Sequence, residues 1–206
     1  MDNTIIVRTI IGGVLQTNCY ILGDPQSGDA VVIDPGAEGE KIKTAVKKEN
    51  LKINAVLLTH GHFDHIGALS AFSSLPVFMH KNDEMMVRND KECLSFAGAD
   101  KKNVMLCLQF LADSDLISVG ELKLKAIHTP GHTPGGMCFL VRDILFSGDT
   151  LFNCGVGRTD LPGGSLAQLM GSIRDKLMCL PDDTVVFPGH GQPTTIGEEK
   201  EGTAFV

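Results

Sequence analysis

Short apolar runs recur along this chain of 206 residues, and several of them end in a loop that carries a histidine or an aspartate. The run over 54–58 leads into residues 59–65, which read T-H-G-H-F-D-H. Three later runs lead to His132, Asp149 and His190, each with a glycine directly before it. Loops at one edge of stacked sheets can converge while the sheets hold them rigid. The pattern therefore favours a sheet-based fold with a polar site at one edge.

Apolar periodicity and turn residues predict the individual elements. Strands are expected over 4–11, 14–22, 30–33, 54–58, 76–80, 122–127, 136–141, 143–146 and 184–187. Helices are expected over 38–50, 66–73 and 165–179, with a short one from Gly197. Residues 81–118 are predicted to be helix with irregular connections. With no visible linker or repeat, residues 1–206 are expected to form a single domain.

The composition narrows the range of partners. The 18 basic and 25 acidic side chains give a formal net charge of −7. An acidic chain is poorly suited to gripping nucleic acid. The start of the chain does not resemble a signal peptide, and no apolar stretch is long enough to span a membrane. The six cysteines include no C-x-x-C pair. We expect a cytoplasmic protein without nucleic-acid or membrane partners.

Seven side chains supply the candidate chemistry: His60, His62, Asp64, His65, His132, Asp149 and His190. Imidazoles and carboxylates at this density are typical ligands of divalent transition metals, and packing them together without a counterion would be costly. His60 and His62 can bind one metal, and Asp64 with His65 can bind a second. Two such metals can share a hydroxide that attacks a carbonyl carbon or a phosphorus atom. Two other histidines, at 80 and 128, are expected to be structural.

The cluster over 60–65 resembles the H-x-H-x-D-H signature of the metallo-β-lactamase superfamily, and His132, Asp149 and His190 follow in the order that superfamily uses. The resemblance implies an α/β fold, an αββα four-layer sandwich with a dinuclear site at one edge. It implies that His60, His62 and His132 hold one metal, and that Asp64, His65 and His190 hold the other, with Asp149 bridging. Two zinc ions are expected, with iron or manganese as alternatives.

Within that superfamily the chain looks most like the small bacterial members of the glyoxalase II (hydroxyacylglutathione hydrolase) branch. The motifs T-P-G-H-T-P-G over 129–135, G-R-T-D over 157–160 and F-P-G-H-G over 187–191 carry this resemblance. Asp149 stands where the classical secreted lactamases have cysteine. The resemblance implies a hydrolase of small acyl-thioesters such as S-D-lactoylglutathione, in which Asp64 orients a metal-bound hydroxide. We expect no C-terminal helical domain of the kind that supplies glutathione contacts in full-length glyoxalase II.

Two further residues have open roles. Asp34 resembles the aspartate of the family's D-P-G turn, where it would accept a hydrogen bond from a ligand histidine or simply form the turn. Arg158 would meet a substrate carboxylate or pair with Asp160. The oligomeric state is left open.

Other functions fit part of the same pattern. A persulfide dioxygenase of this superfamily resembles the chain in most of the motif, but it uses one iron and O₂. Hydrolases of lactones or phosphodiesters are alternatives, although the acidic charge argues against an RNA-processing nuclease. A binding protein that only keeps the fold is disfavoured by the intact ligand set.

Overall fold

The computed structural model describes residues 4–89 and 106–202 of the chain. Its first sheet has six strands in the order of the sequence. Neighbours are antiparallel from β1 to β3 and parallel from β3 to β6. The strands are β1 (Ile6–Gly12), β2 (Thr17–Gly23), β3 (Asp29–Ile33), β4 (Lys52–Leu57), β5 (Pro76–His80) and β6 (Cys107–Leu111).

The second sheet also has six strands and is mixed. Its members are β7 (Leu116–Val119), β8 (Leu122–His128), β9 (Met137–Val141), β10 (Ile144–Gly148), β13 (Val185–Pro188) and β14 (Thr194–Thr195). They lie in the order β14-β13-β10-β9-β8-β7, and β10 pairs in parallel with β13. A separate two-stranded ribbon joins β11 (Leu151–Phe152) and β12 (Gly155–Val156).

The helical segments are short. They are α1 (Gly39–Lys48), α2 (Phe63–Ile66), α3 (Glu84–Asn89), α4 (Leu166–Ser172) and α5 (Ile196–Gly202). Leu69–Phe72 and Lys81–Asp83 form 3₁₀ turns, and Ile173–Leu177 continues α4 as a π-helical turn. Within 4–89 and 106–202, no helix has the length and apolar character needed to cross a bilayer.

Three apolar clusters show how the layers pack. Tyr20, Phe139 and Phe146 belong to the core between the two sheets. On the outer face of the first sheet, Ile21 packs with Ile42 of α1. A third cluster joins the second sheet to α4 and the π-helical turn. Every residue of β2 is buried because both faces of its sheet are covered. The expected αββα four-layer sandwich is confirmed.

Two local predictions were wrong. The described part of 81–118 contains the strands β6 and β7 besides α3, whereas helix was expected; residues 90–105 lie outside the described ranges. The helix expected over 66–73 is instead α2 followed by a 3₁₀ turn. Gly67 lies between them, and a Cβ there would stand 2.3 Å from the carbonyl oxygen of Gly36. The chain therefore passes close to the Gly36 backbone at this point, a tertiary contact that apolar spacing does not reveal.

Candidate metal centre

The seven candidate side chains lie in the segments that follow four strands. The loop after β4 carries His60, His62 and α2, whose four residues include Asp64 and His65. His132 follows β8, Asp149 follows β10 directly, and His190 follows β13. Strands β10 and β13 are parallel neighbours, so their carboxyl ends reach the same edge. These connections explain how residues up to 130 positions apart in sequence meet at one place.

The structure brings all seven residues together. Their potential ligand atoms fall into three overlapping groups, and within each group these atoms lie within 4.8 Å of one another. The groups are His60, His62 and His132; His60, His65 and Asp149; and Asp64, His65 and His190. Asp149 lies between the outer groups, with Oδ1 at 3.3 Å from His65 Nε2 and Oδ2 at 3.6 Å from both His132 Nε2 and His190 Nε2.

Four of the five imidazoles are held from behind through Nδ1. The partner of His60 is the Thr59 hydroxyl at 3.0 Å, and that of His65 is Asp34 Oδ2 at 2.9 Å. His132 and His190 contact the carbonyl oxygens of Arg158 and Leu15 at 2.7 and 3.1 Å. In each case the opposite nitrogen, Nε2, is left for the centre. Outer partners of this kind fix ring orientation in metal sites.

The centre also contains polar atoms that the protein leaves without partners. Nε2 of His60, Nε2 of His65 and Oδ1 of Asp149 are buried and make no hydrogen bond within the described residues. Nδ1 of His62 and Nε2 of His132 lie 2.9 Å apart. Leaving such groups buried and unpaired costs roughly 1–3 kcal/mol each. Nitrogen and carboxylate donors are a set that divalent transition metals bind, so the residues fit a metal centre.

The pKa values of His60, His62 and Asp64 also suit metal binding. Burial lowers the pKa of His62 to about 4, and the neighbouring His132 adds to the effect. Burial and the other histidines hold the pKa of His60 well below its usual range. Burial opposes ionisation of Asp64, but hydrogen bonding to His190 and the charge of His65 lower its pKa overall. Neutral imidazole and ionised carboxylate are the forms that bind metal.

His65 differs from His60 and His62, and the pKa of His190 is likewise raised, mainly by its hydrogen bond to Asp64. Burial by itself would lower the pKa of His65, but the carboxylates of Asp149 and Asp34 outweigh burial and raise the pKa well above the ordinary value. His65 therefore stands between two acids, one at the centre and one behind it. Asp34 also accepts hydrogen bonds from the backbone N–H and the hydroxyl of Thr59, at 2.7 and 2.6 Å. The structure thus places Asp34 behind the ligand cluster, where one carboxylate contacts two successive parts of it.

The glycines before the ligands are required by space. A Cβ at Gly189 would lie 2.2 Å from Asp149 Oδ1 and 2.7 Å from His65 Cε1, inside the centre itself. Gly131 has a φ of +142° and would meet the backbone of Leu169 at 2.2 Å if it carried a Cβ. Larger residues at these positions would displace the ligand loops.

Two supporting residues were missed by sequence analysis. The Thr17 hydroxyl, at the start of β2, donates to Asp64 Oδ2 at 2.9 Å. Asp83 is fully buried and accepts from the Gly61 N–H at 3.1 Å, the Thr133 hydroxyl at 2.7 Å and the Gly135 N–H at 2.6 Å. A threonine and an aspartate in ordinary polar contexts carry no motif, so no sequence signal marked them.

Arg158 takes part through its backbone as well as its side chain. Its carbonyl oxygen contacts His132, while its guanidinium pairs with both carboxylate oxygens of Asp160 at 2.8 and 2.7 Å. Both side chains of this pair are exposed. A substrate contact through the Arg158 guanidinium would require this pair to open or to be shared, and it stays a prediction.

The two histidines that were expected to be structural lie outside the three ligand groups. His80 and His128 stack face to face with ring centroids 3.9 Å apart. Nδ1 of His80 accepts from the Asn82 N–H, and Nε2 of His128 lies 3.1 Å from the carbonyl oxygen of Pro134.

The fold and the site together define a class. The family model of the metallo-β-lactamase superfamily matches residues 12–190, and the chain belongs to that superfamily. Its fold and its histidine–aspartate cluster are those of a metal-dependent hydrolase. Similar proteins include a probable metallo-hydrolase, YqgX of Bacillus subtilis, 37% identical over 94% of both chains. Hydroxyacylglutathione hydrolase GloC of Haemophilus influenzae is 34% identical over 93% of both chains.

Solved structures extend the comparison. The BLEG-1 B3 metallo-beta-lactamase is 36% identical with a TM-score of 0.82, over 97% of this chain and 99% of the other. TTHA1623 in a di-iron-bound form is 35% identical with a TM-score of 0.84, over 97% and 100%. ETHE1 from Myxococcus xanthus is 31% identical with a TM-score of 0.77, over 96% and 82%. The similar proteins thus share one fold but have several different names.

Proposed function

We propose that this protein is a metal-dependent hydrolase of small acyl-thioesters. The observation that carries the proposal is the set of Nε2 atoms that face the centre while the opposite nitrogens are held by outer partners. The likeness to hydroxyacylglutathione hydrolase GloC supports the thioester as the substrate class. S-D-lactoylglutathione is the reference substrate for testing it.

The three ligand groups support a division into two sites. His60, His62 and His132 would hold the first metal, and Asp64, His65 and His190 would hold the second. Asp149 would bridge, because its two carboxylate oxygens face histidines of both groups. We propose zinc at both positions, with iron or manganese as alternatives. The di-iron form of the similar TTHA1623 makes iron a specific alternative.

Metals at this centre would supply hydroxide near neutral pH and electrostatic stabilisation of an oxyanion. The residues of the chain would position the reacting groups. Asp64 keeps its Oδ2 between the Thr17 hydroxyl at 2.9 Å and His190 Nε2 at 3.1 Å, so its carboxylate can orient a water molecule from a fixed place. The leaving group is a thiolate, whose conjugate acid has a pKa near 8.5. Such a group departs without a strong general acid.

A persulfide dioxygenase is the second candidate, because the chain is similar to ETHE1 from Myxococcus xanthus. That chemistry needs one iron on two histidines and an aspartate. The two functions therefore differ in metal number, in metal identity and in the use of O₂.

Metal content measured beside a substrate panel tests the proposal. The panel contains acyl-thioesters, lactones, a β-lactam and glutathione persulfide, the last followed with an oxygen electrode. We expect about two metals per chain and thioester hydrolysis as the fastest reaction. The Asp149→Ala variant, purified alongside, should lose metal and turnover together. One iron per chain with oxygen uptake on the persulfide would overturn the hydrolase.

A further inference from the structure

A cavity of about 390 Å³ adjoins the metal centre on the side of Asp64 and His190. Its walls come from the β1–β2 turn at 13–15, from residues 36–40 and from the α2 region at 63–71. Two contacts join it to the centre. Asp64 is one of its lining residues, and Leu15, another, accepts the hydrogen bond from His190 Nδ1. The volume lies in the range of small-molecule sites, about 300–1,000 Å³.

The lining of this cavity is mainly apolar. Small residues such as Gly36, Ala37 and Ala68 leave the space open, and Val14 and Phe63 stand at it as exposed apolar side chains. Large apolar groups of this kind, exposed beside a polar centre, are typical of a surface that a ligand covers.

The ionised side chains at the cavity are all acidic. Among the described residues that line it, the charged ones are Glu38, Glu40 and Asp64, and none is basic. Glu40 pairs with Lys43 at 2.9 Å, which leaves Glu38 as the acid most able to repel an anion. Glu38 is exposed, and a carboxylate brought close to it would be repelled, since like charges at close range cost free energy. The two carboxylates of glutathione would be repelled here, so the thiol part of a glutathione thioester would lie elsewhere.

We infer that this cavity binds an uncharged aliphatic acyl chain, so that the protein prefers medium-chain acyl-thioesters to lactoyl or dicarboxylic ones. The inference rests on the proposed function for its thioester. It adds the acyl class, because the cavity borders the centre at Asp64 and the acyl tail is the apolar part of a thioester that would fill it. Each buried methylene contributes about 0.8 kcal/mol, or about a factor of four in affinity.

Binding of carboxylic acids to the metal-loaded protein, measured by calorimetry, tests the cavity independently of turnover. Acetate, hexanoate and adipate share a carboxylate that can reach the centre. Hexanoate should bind at least tenfold more tightly than acetate, because it adds apolar methylenes. Adipate has the length of hexanoate but a second carboxylate at its far end, and it should bind at least tenfold more weakly than hexanoate.

Variants of the lining residues test whether the preferences for hexanoate over acetate and over adipate arise in the cavity. Ala37→Leu, and separately Ser70→Leu, should reduce the preference for hexanoate over acetate at least fivefold without weakening acetate. Glu38→Lys should remove most of the preference for hexanoate over adipate. The matched control is Glu121→Lys, the same charge change at the exposed β7–β8 turn, which should leave that preference unchanged.

The outcomes separate the inference from the proposed function. Equal binding of hexanoate and acetate, or of hexanoate and adipate, would overturn the inference even if thioesters are hydrolysed. Catalysis gives a second readout: kcat/KM should be at least tenfold higher for hexanoyl-glutathione than for acetyl-glutathione. If hexanoate is preferred in binding but no thioester is hydrolysed, the proposed function fails and the apolar acyl site stands.

Discussion

The carboxylate of Asp34 holds the imidazole of His65 from behind, with Oδ2 at 2.9 Å from Nδ1. The same oxygen accepts the hydroxyl of Thr59, and the second oxygen accepts the Thr59 N–H. Asp34 has a φ of +52°, a left-handed conformation that aspartate and asparagine tolerate better than most residues. The short side chain of Asp34 therefore orients both Thr59, the residue before the first ligand, and His65, a ligand of the proposed second site.

Replacing this carboxylate should weaken metal binding without unfolding the chain. Asp34→Asn keeps the backbone conformation but presents an NH₂ group to donors that need an acceptor. We expect a loss of about 10–100-fold in metal affinity or activity, the usual effect of removing an outer partner of a ligand histidine. Metal titration of the purified variant measures it. Asp143→Asn, at an exposed aspartate, is the matched control and should bind metal as wild type does.

Asp83 offers a second test, at the other side of the centre. It joins the loop of His60 and His62 to the loop of His132, because Gly61 donates from one loop and Thr133 and Gly135 donate from the other. Asp83→Asn would leave at least one buried donor without an acceptor, a cost of about 1–3 kcal/mol. We expect a lower melting temperature and weaker binding of the first metal, with the second less affected.

Stoichiometric metal titration followed by site-resolved spectroscopy of the cobalt-substituted protein would show this difference for Asp83→Asn. Equal weakening at both metals would contradict the positioning role and leave only a general loss of stability. Asp115→Asn gives a comparison, since Asp115 is an exposed aspartate that also accepts a backbone N–H, that of Ala112.

The sequence predicted the layers and the ligand cluster for physical reasons. Apolar runs mark buried strands, and five histidines gathered at strand ends have few explanations other than metal. It missed β6, whose exposed Cys107, Gln109 and Phe110 give no clean alternation on the edge of its sheet. It also missed Thr17 and Asp83, since their partners lie 47 and up to 52 residues away and are found only once the chain is folded.

The two classes of histidine should separate in mutational tests. His132→Ala and Asp149→Ala each remove a member of the ligand groups, and we expect loss of most bound metal and nearly all turnover. His80→Ala removes a half-buried ring that stacks on His128 outside those groups, and its activity should stay near the wild-type value. Metal content and kcat/KM of the three variants provide the comparison. Wild-type activity in Asp149→Ala would contradict the bridging role.

Gly189 tests whether the centre tolerates any added volume. In Gly189→Ala the new methyl group would lie 2.2 Å from Asp149 Oδ1, far inside contact distance, and 2.7 Å from His65 Cε1. Either Asp149 or the loop that carries His190 must move, and both displacements separate ligand atoms that now lie together. We expect metal affinity to fall more than tenfold.

Gly155→Ala is the matched control, because nothing lies within 4 Å of a Cβ there and its φ is not positive. If Gly189→Ala binds metal as tightly as Gly155→Ala does, the proposed placement of Asp149 between the two metals is wrong.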